Sequence, residues 1–268
     1  MRRTCLFCKA SGEFSTVEHI VPRSLGNDTD ILEGVVCNRC QNYLGRKVEK
    51  PALEKTPIAF WRGYLGIRTG EEHLPSVQLN PPAKGAIPSS HPLTDLGVGF
   101  TAHENGSTSM DVNSSAFMRK LISQNTSQYR LVLSPWHLSI LGRFLGKMGL
   151  EYLARVNLDY ALSPEFDLIR SFVRYGSTKY MWPIFWGHEG KWVDFKGPIV
   201  WDGEQGRQEI ECYRYALGKT AKGEHLFVFS IGFDLMLLCL THRFPSHALK
   251  KSIKGLNLSC VYYKEGTW

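Results

Sequence analysis

Apolar residues recur at helical spacing most clearly in the middle of the chain. Leu138, Leu141, Leu145, Met148 and Tyr152 follow one another at three- or four-residue intervals behind Ser134 and Pro135, an N-cap and a first-turn proline. This spacing predicts a core helix. A second helix is expected from Ser163-Pro164 to a stop at Gly176, with Phe166, Ile169, Phe172 and Val173 on its apolar side and Arg170 and Arg174 elsewhere. Downstream the period shortens, and residues 208–216, 225–230 and 234–240 read as strands separated by glycine-bearing turns. Upstream, residues 98–102 and 107–112 flank Glu104-Asn105-Gly106, the signature of a hairpin, because Asn-Gly favours the positive backbone angles of tight turns. Residues 71–94, rich in Pro, Gly and Ser, read as an extended connector.

The first 55 residues have a different texture, with little continuous apolar sequence and all of the paired cysteines. Two units are therefore expected: residues 1–55, and a larger mixed α+β unit over residues 56–268. At 43% hydrophobic and 21% charged residues the chain can bury a sizeable core. The formal charge of +7 is spread as +2 over residues 1–55 and +5 over the remainder, which suits a polyanionic partner without confining it to one segment. The longest strongly apolar stretch, residues 227–240, is too short to span a bilayer and contains Asp234. No membrane partner is expected. Met1-Arg2-Arg3-Thr4 leads straight to Cys5 without the apolar core of a secretory signal, so the expected location is the cytoplasm.

Of seven cysteines, four fall as two C-x-x-C pairs, Cys5/Cys8 and Cys37/Cys40, separated by 28 residues. Four thiolates so paired suit a tetrahedral structural Zn2+, and in a reducing compartment metal is the better expectation than disulfides. The long gap implies that zinc joins a hairpin to a helix rather than closing a minimal ribbon. Between the pairs lies Val17-Glu18-His19-Ile20-Val21-Pro22-Arg23-Ser24-Leu25-Gly26. Glu18 offers a hard oxygen ligand for Mg2+ or another divalent ion, and the neighbouring His19 imidazole accepts a proton from water near neutral pH. Phosphodiester cleavage needs a nucleophile, a charge clamp and leaving-group stabilisation, and one divalent ion serves the last two. Gln41 and Asn42, after the second pair, each offer a further amide oxygen.

Over residues 5–53 these pieces, in this order, resemble the zinc-stapled branch of the HNH nucleases. The resemblance implies a ββα-metal fold, His19 as general base, Glu18 as a ligand of the catalytic metal and Gln41 completing that site, with Cys5, Cys8, Cys37 and Cys40 on structural zinc. It further implies attack of water on the scissile phosphate of DNA. An antiphage defence role in bacteria is an expectation from the same resemblance. Two positions depart from the family pattern: Gln41 stands where Asn is usual, so that ligation can pass to Asn42, and Leu32 occupies the place of the Asn that orients the base. Asn27 is a distant stand-in for that Asn.

The second unit is expected to extend the DNA surface, to dimerise, or to receive a regulatory partner or ligand. The competing expectation is a non-catalytic zinc module that binds nucleic acid or protein, and a third is an RNA-cutting enzyme on the same site. Cys212, Cys239 and Cys260, and Trp182, Trp186, Trp192 and Trp201, are expected in the core. Arg170 with Arg174, and Lys250 with Lys251 and Lys254, are basic groups of a kind that either tracks a phosphate backbone or simply faces water.

Overall fold

Isolated two- and three-residue strands do not hold themselves together, so the N-terminal segment depends on cross-links and on what it packs against. A computed structural model describes residues 3–65, 67, 77–78, 97–102, 108–112, 135–176, 182–188, 199–201, 207–210, 213–232, 234–243, 246 and 259–261. The chain begins with two small antiparallel pairs, β1 (Arg3–Thr4) with β2 (Ser11–Gly12) and β3 (Val17–His19) with β4 (Ile31–Glu33). Helix α1 (Asn38–Leu44) starts directly after Cys37. It passes through one wide turn, Gly45–Glu49, into α2 (Lys50–Lys55), and α3 (Pro57–Tyr64) follows. Thr56 separates α2 from α3, accepting from the Ile58 amide at 3.3 Å while its hydroxyl donates to the Ala52 carbonyl at 2.6 Å.

A three-stranded sheet joins β5 (Val77–Gln78), β6 (Gly97–Ala102) and β7 (Thr108–Val112), all antiparallel, so the expected hairpin forms and the connector contributes a strand to it. The Asn105-Gly106 turn itself lies outside the described residues. The expected central helix is α4 (Pro135–Val156), followed by short α5 (Leu158–Ala161) and by α6 (Asp167–Tyr175), which stops at Gly176. The remaining strands, β8 (Ile184–His188), β9 (Ile199–Trp201), β10 (Arg207–Ile210), β11 (Tyr213–Thr220), β12 (His225–Ile231), β13 (Asp234–Cys239) and β14 (Ser259–Val261), build one antiparallel sheet in the order β10-β11-β12-β13-β8-β14, with β9 also pairing β11. The single strand expected over residues 208–216 is in fact two: β10 and β11 pair with Ile210 opposite Tyr213, so the segment folds back on itself. The molecule is α+β, a zinc-knuckle ββα module followed by a larger mixed part.

Helix α4 is the centre of the packing. It lies against β11, β12 and β13 on one side, against α6 on another, and against α2 and the wide turn of the N-terminal segment on a third. Residues 137–154 of this helix are all buried. Two glycines permit the close approach: a Cβ at Gly149 would stand 2.8 Å from Cβ of Phe227, and one at Gly146 would stand 2.7 Å from Cγ2 of Val173. Phe144, Leu145, Met148 and Tyr152 fill the interface with the sheet and α6, with Phe144 edge-on to Phe229 and Tyr152 edge-on to Tyr215. Trp182 and Cys239 are buried in the same region, as expected, whereas the side chains of the other C-terminal cysteines and of Trp192 and Trp201 lie outside what is described.

Polar side chains dock the N-terminal segment onto this frame. Arg170 is 3% exposed, and its Nε donates to the Leu6 carbonyl at 2.6 Å, with further bonds to the Ala161 carbonyl and Asp167. Arg143 donates from Nε to the Val173 carbonyl at 3.0 Å and from Nη2 to the Tyr43 hydroxyl at 3.1 Å, while the Arg174 guanidinium lies 3.7 Å from the centre of the Tyr43 ring. Arg155 pairs with Asp30, and Trp61 donates to Asp234 at 2.6 Å. Arg170 and Arg174 are therefore spent inside the protein and present no cationic face for a phosphate backbone, because bare carbonyls and an aromatic face already take their charge. The Lys250, Lys251 and Lys254 group lies outside the described residues.

Replacing Arg170 by Ala strands the buried Leu6 and Ala161 carbonyls. The zinc-loaded variant should unfold in urea with a loss of about 2–3 kcal/mol, the usual value for charge-assisted bonds to buried acceptors. A change below about 0.5 kcal/mol would show that Arg170 does not anchor the knuckle.

Candidate active site

The four paired cysteines converge. Their sulfurs all lie within 4.8 Å of one another, with 3.7 Å between those of Cys8 and Cys37. A tetrahedron with Zn–S bonds of about 2.3 Å places its sulfurs about 3.8 Å apart, so this donor set fits Zn2+ in both chemistry and spacing. The knuckles are shaped by the backbone: the Lys9 amide donates to the Cys5 carbonyl at 3.0 Å with Lys9 in a left-handed conformation (φ 56°), and the Cys37 amide donates to the Cys5 sulfur at 3.3 Å. The hydrogen bond from the Cys40 thiol is the main reason the Cys5 thiol is pulled down to about 4, while the same bond pushes Cys40 up and burial raises Cys37. The Cys5 thiolate forms readily, whereas Cys37 and Cys40 need a cation, which is what structural zinc would supply.

Bound by these four thiols, zinc would join the β1–β2 knuckle to the start of α1, and the hairpin β3–β4 is held between them. The Thr16 hydroxyl bonds the Val36 carbonyl, and the Leu6 amide donates to Val35 at 3.0 Å. Alternation along β3 buries Glu18 and leaves Val17 and His19 on the other face, where Val17 and Ile31 are exposed. His19 sits opposite Ile31, and Glu18 opposite Leu32. Burial first, and the neighbouring Arg23 guanidinium second, hold the His19 imidazole below its ordinary value, although Asp28 pulls the other way. At neutral pH the ring is uncharged and able to accept a proton. No side-chain hydrogen bond orients it among the described residues.

Asn27 does not take that orienting role. It is fully buried, and its amide donates to the Val21 carbonyl at 2.7 Å and the Asp30 carbonyl at 3.1 Å, while its oxygen accepts from the amides of Thr29 and Asp30. All of its hydrogen-bonding capacity is spent on closing the loop between β3 and β4. That loop is held from the other side by Arg62, whose Nε donates to the Ser24 carbonyl at 3.0 Å.

Gln41, in the first turn of α1, leans onto β3 and donates from Nε2 to the Val17 carbonyl at 2.7 Å. The bond fixes the carboxamide two residues from His19 along the strand and leaves its oxygen free to face a ligand. Asn42 is exposed on the same helix. Glu18 points the other way, into the interior, where its Oε2 lies 3.5 Å from Lys147 Nζ and its buried Oε1 has no hydrogen-bond partner. Around the same ammonium stand Glu49 Oε1 at 2.6 Å, Glu151 Oε2 at 2.7 Å and the His19 carbonyl oxygen at 3.2 Å. Burial opposes the charge on Lys147, but Glu151, Glu49 and Glu18 outweigh it and keep the ammonium protonated above the ordinary lysine value. Burial raises Glu18 and Glu151, Lys147 pulls them down, and the neighbouring carboxylates add a smaller upward push. Sequence spacing did not single out Lys147 or Glu151. The only signal was a charged residue every fourth position, at 143, 147, 151 and 155, a pattern that normally faces water.

Residues 5–57, about a fifth of the chain, match the family model described as HNH endonuclease. No curated protein and no solved structure matches the chain. The match covers both knuckles, the β3–β4 hairpin, α1 and α2, so this segment is similar to HNH endonucleases, and nuclease activity is the chemistry that the likeness suggests. No helix among the described residues is long and apolar enough to cross a membrane.

Two measurements check this geometry. Cys37→Ser should lose zinc and unfold the N-terminal segment, read by metal content and circular dichroism; a folded, zinc-loaded variant would place the staple elsewhere. In zinc-loaded protein without added divalent ion, the His19 ring should titrate by NMR with a midpoint below 6.5, and Arg23→Ala should raise that midpoint part of the way back. A midpoint at or above 6.5 in the parent protein would contradict the half-buried setting beside Arg23.

Proposed function

We propose that the protein is a metal-dependent HNH endonuclease that hydrolyses DNA phosphodiester bonds, with residues 1–55 as the nuclease module and residues 56–268 as an accessory unit. The observation that carries this reading is the neutral, half-buried His19 imidazole on the open face of a zinc-stapled hairpin, beside the Gln41 carboxamide. A water molecule in front of His19 gives up its proton to the ring as it attacks phosphorus. A divalent ion such as Mg2+, held by the free oxygen of Gln41 and by Glu18, would supply the charge clamp on the phosphate and on the departing 3′ oxygen. Gln41 keeps an uncommitted oxygen on the open face, whereas Glu18 would have to turn from Lys147 to join it on the ion.

Support for a polyanionic substrate comes from Arg23, Arg39, Arg46, Lys47 and Lys50, all exposed on the loop after β3 and along the helices that follow the second knuckle. Such side chains neutralise phosphates without reading sequence. A cytoplasmic antiphage effector is the setting this reading favours, where a DNA-cutting enzyme meets invading DNA. The alternative is a zinc module that binds nucleic acid or protein without cutting. It draws on the inward turn of Glu18 onto Lys147 and on the apolar Leu32 opposite it.

Supercoiled plasmid incubated with the protein and Mg2+ or Mn2+ should be nicked or linearised. His19→Ala should reduce the rate by about a hundredfold or more, as expected for loss of a general base, while zinc content and fold are retained. Binding without divalent-dependent cleavage, unchanged by His19→Ala, would establish the binding module instead.

A further inference from the structure

We infer that Lys147, on the central helix α4, is a positioning residue of the nuclease site, holding the Glu18-His19 strand in place from a part of the chain far outside the HNH segment. The inference rests on the nuclease reading above for what is positioned, and on the geometry alone for how. An ammonium group has three N–H donors. Three acceptors lie within hydrogen-bond distance of it: Glu49 Oε1 at 2.6 Å on the wide turn after α1, Glu151 Oε2 at 2.7 Å on α4, and the His19 carbonyl at 3.2 Å on β3. Glu18 Oε2, at 3.5 Å, is held by charge. One buried atom thus ties together the strand that carries the base, the helix segment that carries Gln41, and the frame on which both rest.

The contact at His19 is to its backbone, so Lys147 fixes where the strand sits and leaves the imidazole free for water. The contact at Glu18 selects which carboxylate oxygen is engaged inward and which, Oε1, stays uncommitted. The side chain is wholly shielded from solvent and cannot touch substrate. The exposed arginines and lysines that would meet a phosphate backbone are elsewhere, on the β3 loop and on α1 and α2. Removing the Lys147 cation should therefore lower kcat and leave KM nearly unchanged.

Substituting Lys147 alone leaves three carboxylates facing one another and risks unfolding, so the test uses the charge-neutral pair Lys147→Met/Glu151→Met, with Lys147→Arg as the variant that keeps a cation. Full-length, zinc-loaded proteins carry 13C-labelled histidine rings, and His19 is assigned by its absence in His19→Ala. The expected result is a folded pair variant whose His19 resonance shifts or broadens while the remaining histidine signals stay in place. Its plasmid-nicking kcat should be about a hundredfold lower with KM within about twofold, and Lys147→Arg should retain at least about a tenth of the parent rate. An unshifted His19 signal with parent-like kcat would overturn the inference and leave the lysine as packing. Failure of both variants to fold or to hold zinc would also overturn it, because the role would then be structural. If the parent protein cuts no plasmid with any divalent ion, the nuclease reading fails, and the His19 resonance alone decides whether Lys147 positions this strand.

Discussion

The arrangement depends on a fully buried ammonium surrounded by three carboxylates. Charges of this kind are costly to remove from water, and their mutual attraction offsets the cost only when partners and hydrogen bonds are in place. Lys147 meets that condition through contacts to three separate elements, and because each contact is needed to stabilise the charge, the elements cannot drift independently. Burial is the main reason why Glu18 and Glu151 are held above the ordinary carboxylate range, with the neighbouring carboxylates adding to it against the pull of Lys147. Breaking such a group by removing one partner typically costs about 3–5 kcal/mol, which makes it a constraint on position as well as a contribution to stability.

The same logic extends along two helices. Arg143, Lys147 and Arg155 from α4, and Arg170 and Arg174 from α6, all reach into the N-terminal segment, ending on backbone carbonyls, on Asp30 and Glu49, or over the Tyr43 ring. Small strands and a wide helical turn expose many backbone acceptors, and an arginine with five donors can satisfy several at once. Zinc on the four thiols would close the knuckles locally, and these cations orient the module against the sheet-backed helix. Part of the positive charge of the chain is therefore internal, while the exposed Arg23, Arg39, Arg46, Lys47 and Lys50 lie on the loop after β3 and along the helical stretch that follows the second knuckle.

Much of the fold was legible because its determinants are local. The proline-led start and the apolar repeat of α4, the glycine stop of α6 and the strand texture at 225–231 and 234–239 each follow from a few neighbouring residues. The zinc knuckles were legible for the same reason, since ligand type and spacing are written in sequence. Reading failed where a pattern is shared by two environments. A strand-like run over 208–216, polar and apolar residues mixed, does not reveal that its two halves pair with each other, and an arginine opposite an apolar helix face looks solvated until another element is found to cover it, as at Arg170 and Arg174. Asn27 looked like a distant candidate for orienting His19, but four short-range backbone bonds already employ it.

By itself the sequence determined the residues able to do chemistry: four thiols for zinc, an imidazole beside a carboxylate, and an amide one position past the second knuckle. These follow from side-chain type and order along the chain, which folding does not alter. Only the tertiary structure decided which way each one faces. Strand alternation sends Glu18 inward and His19 outward, and the charged stripe on α4, which in isolation would face water, is turned inward because the apolar sides of that helix are taken by the sheet and by α6. Burial of Arg143, Lys147 and Glu151 in that stripe is a property of the assembled layers, and it brings residue 147 to the strand at residues 18 and 19, more than a hundred positions away.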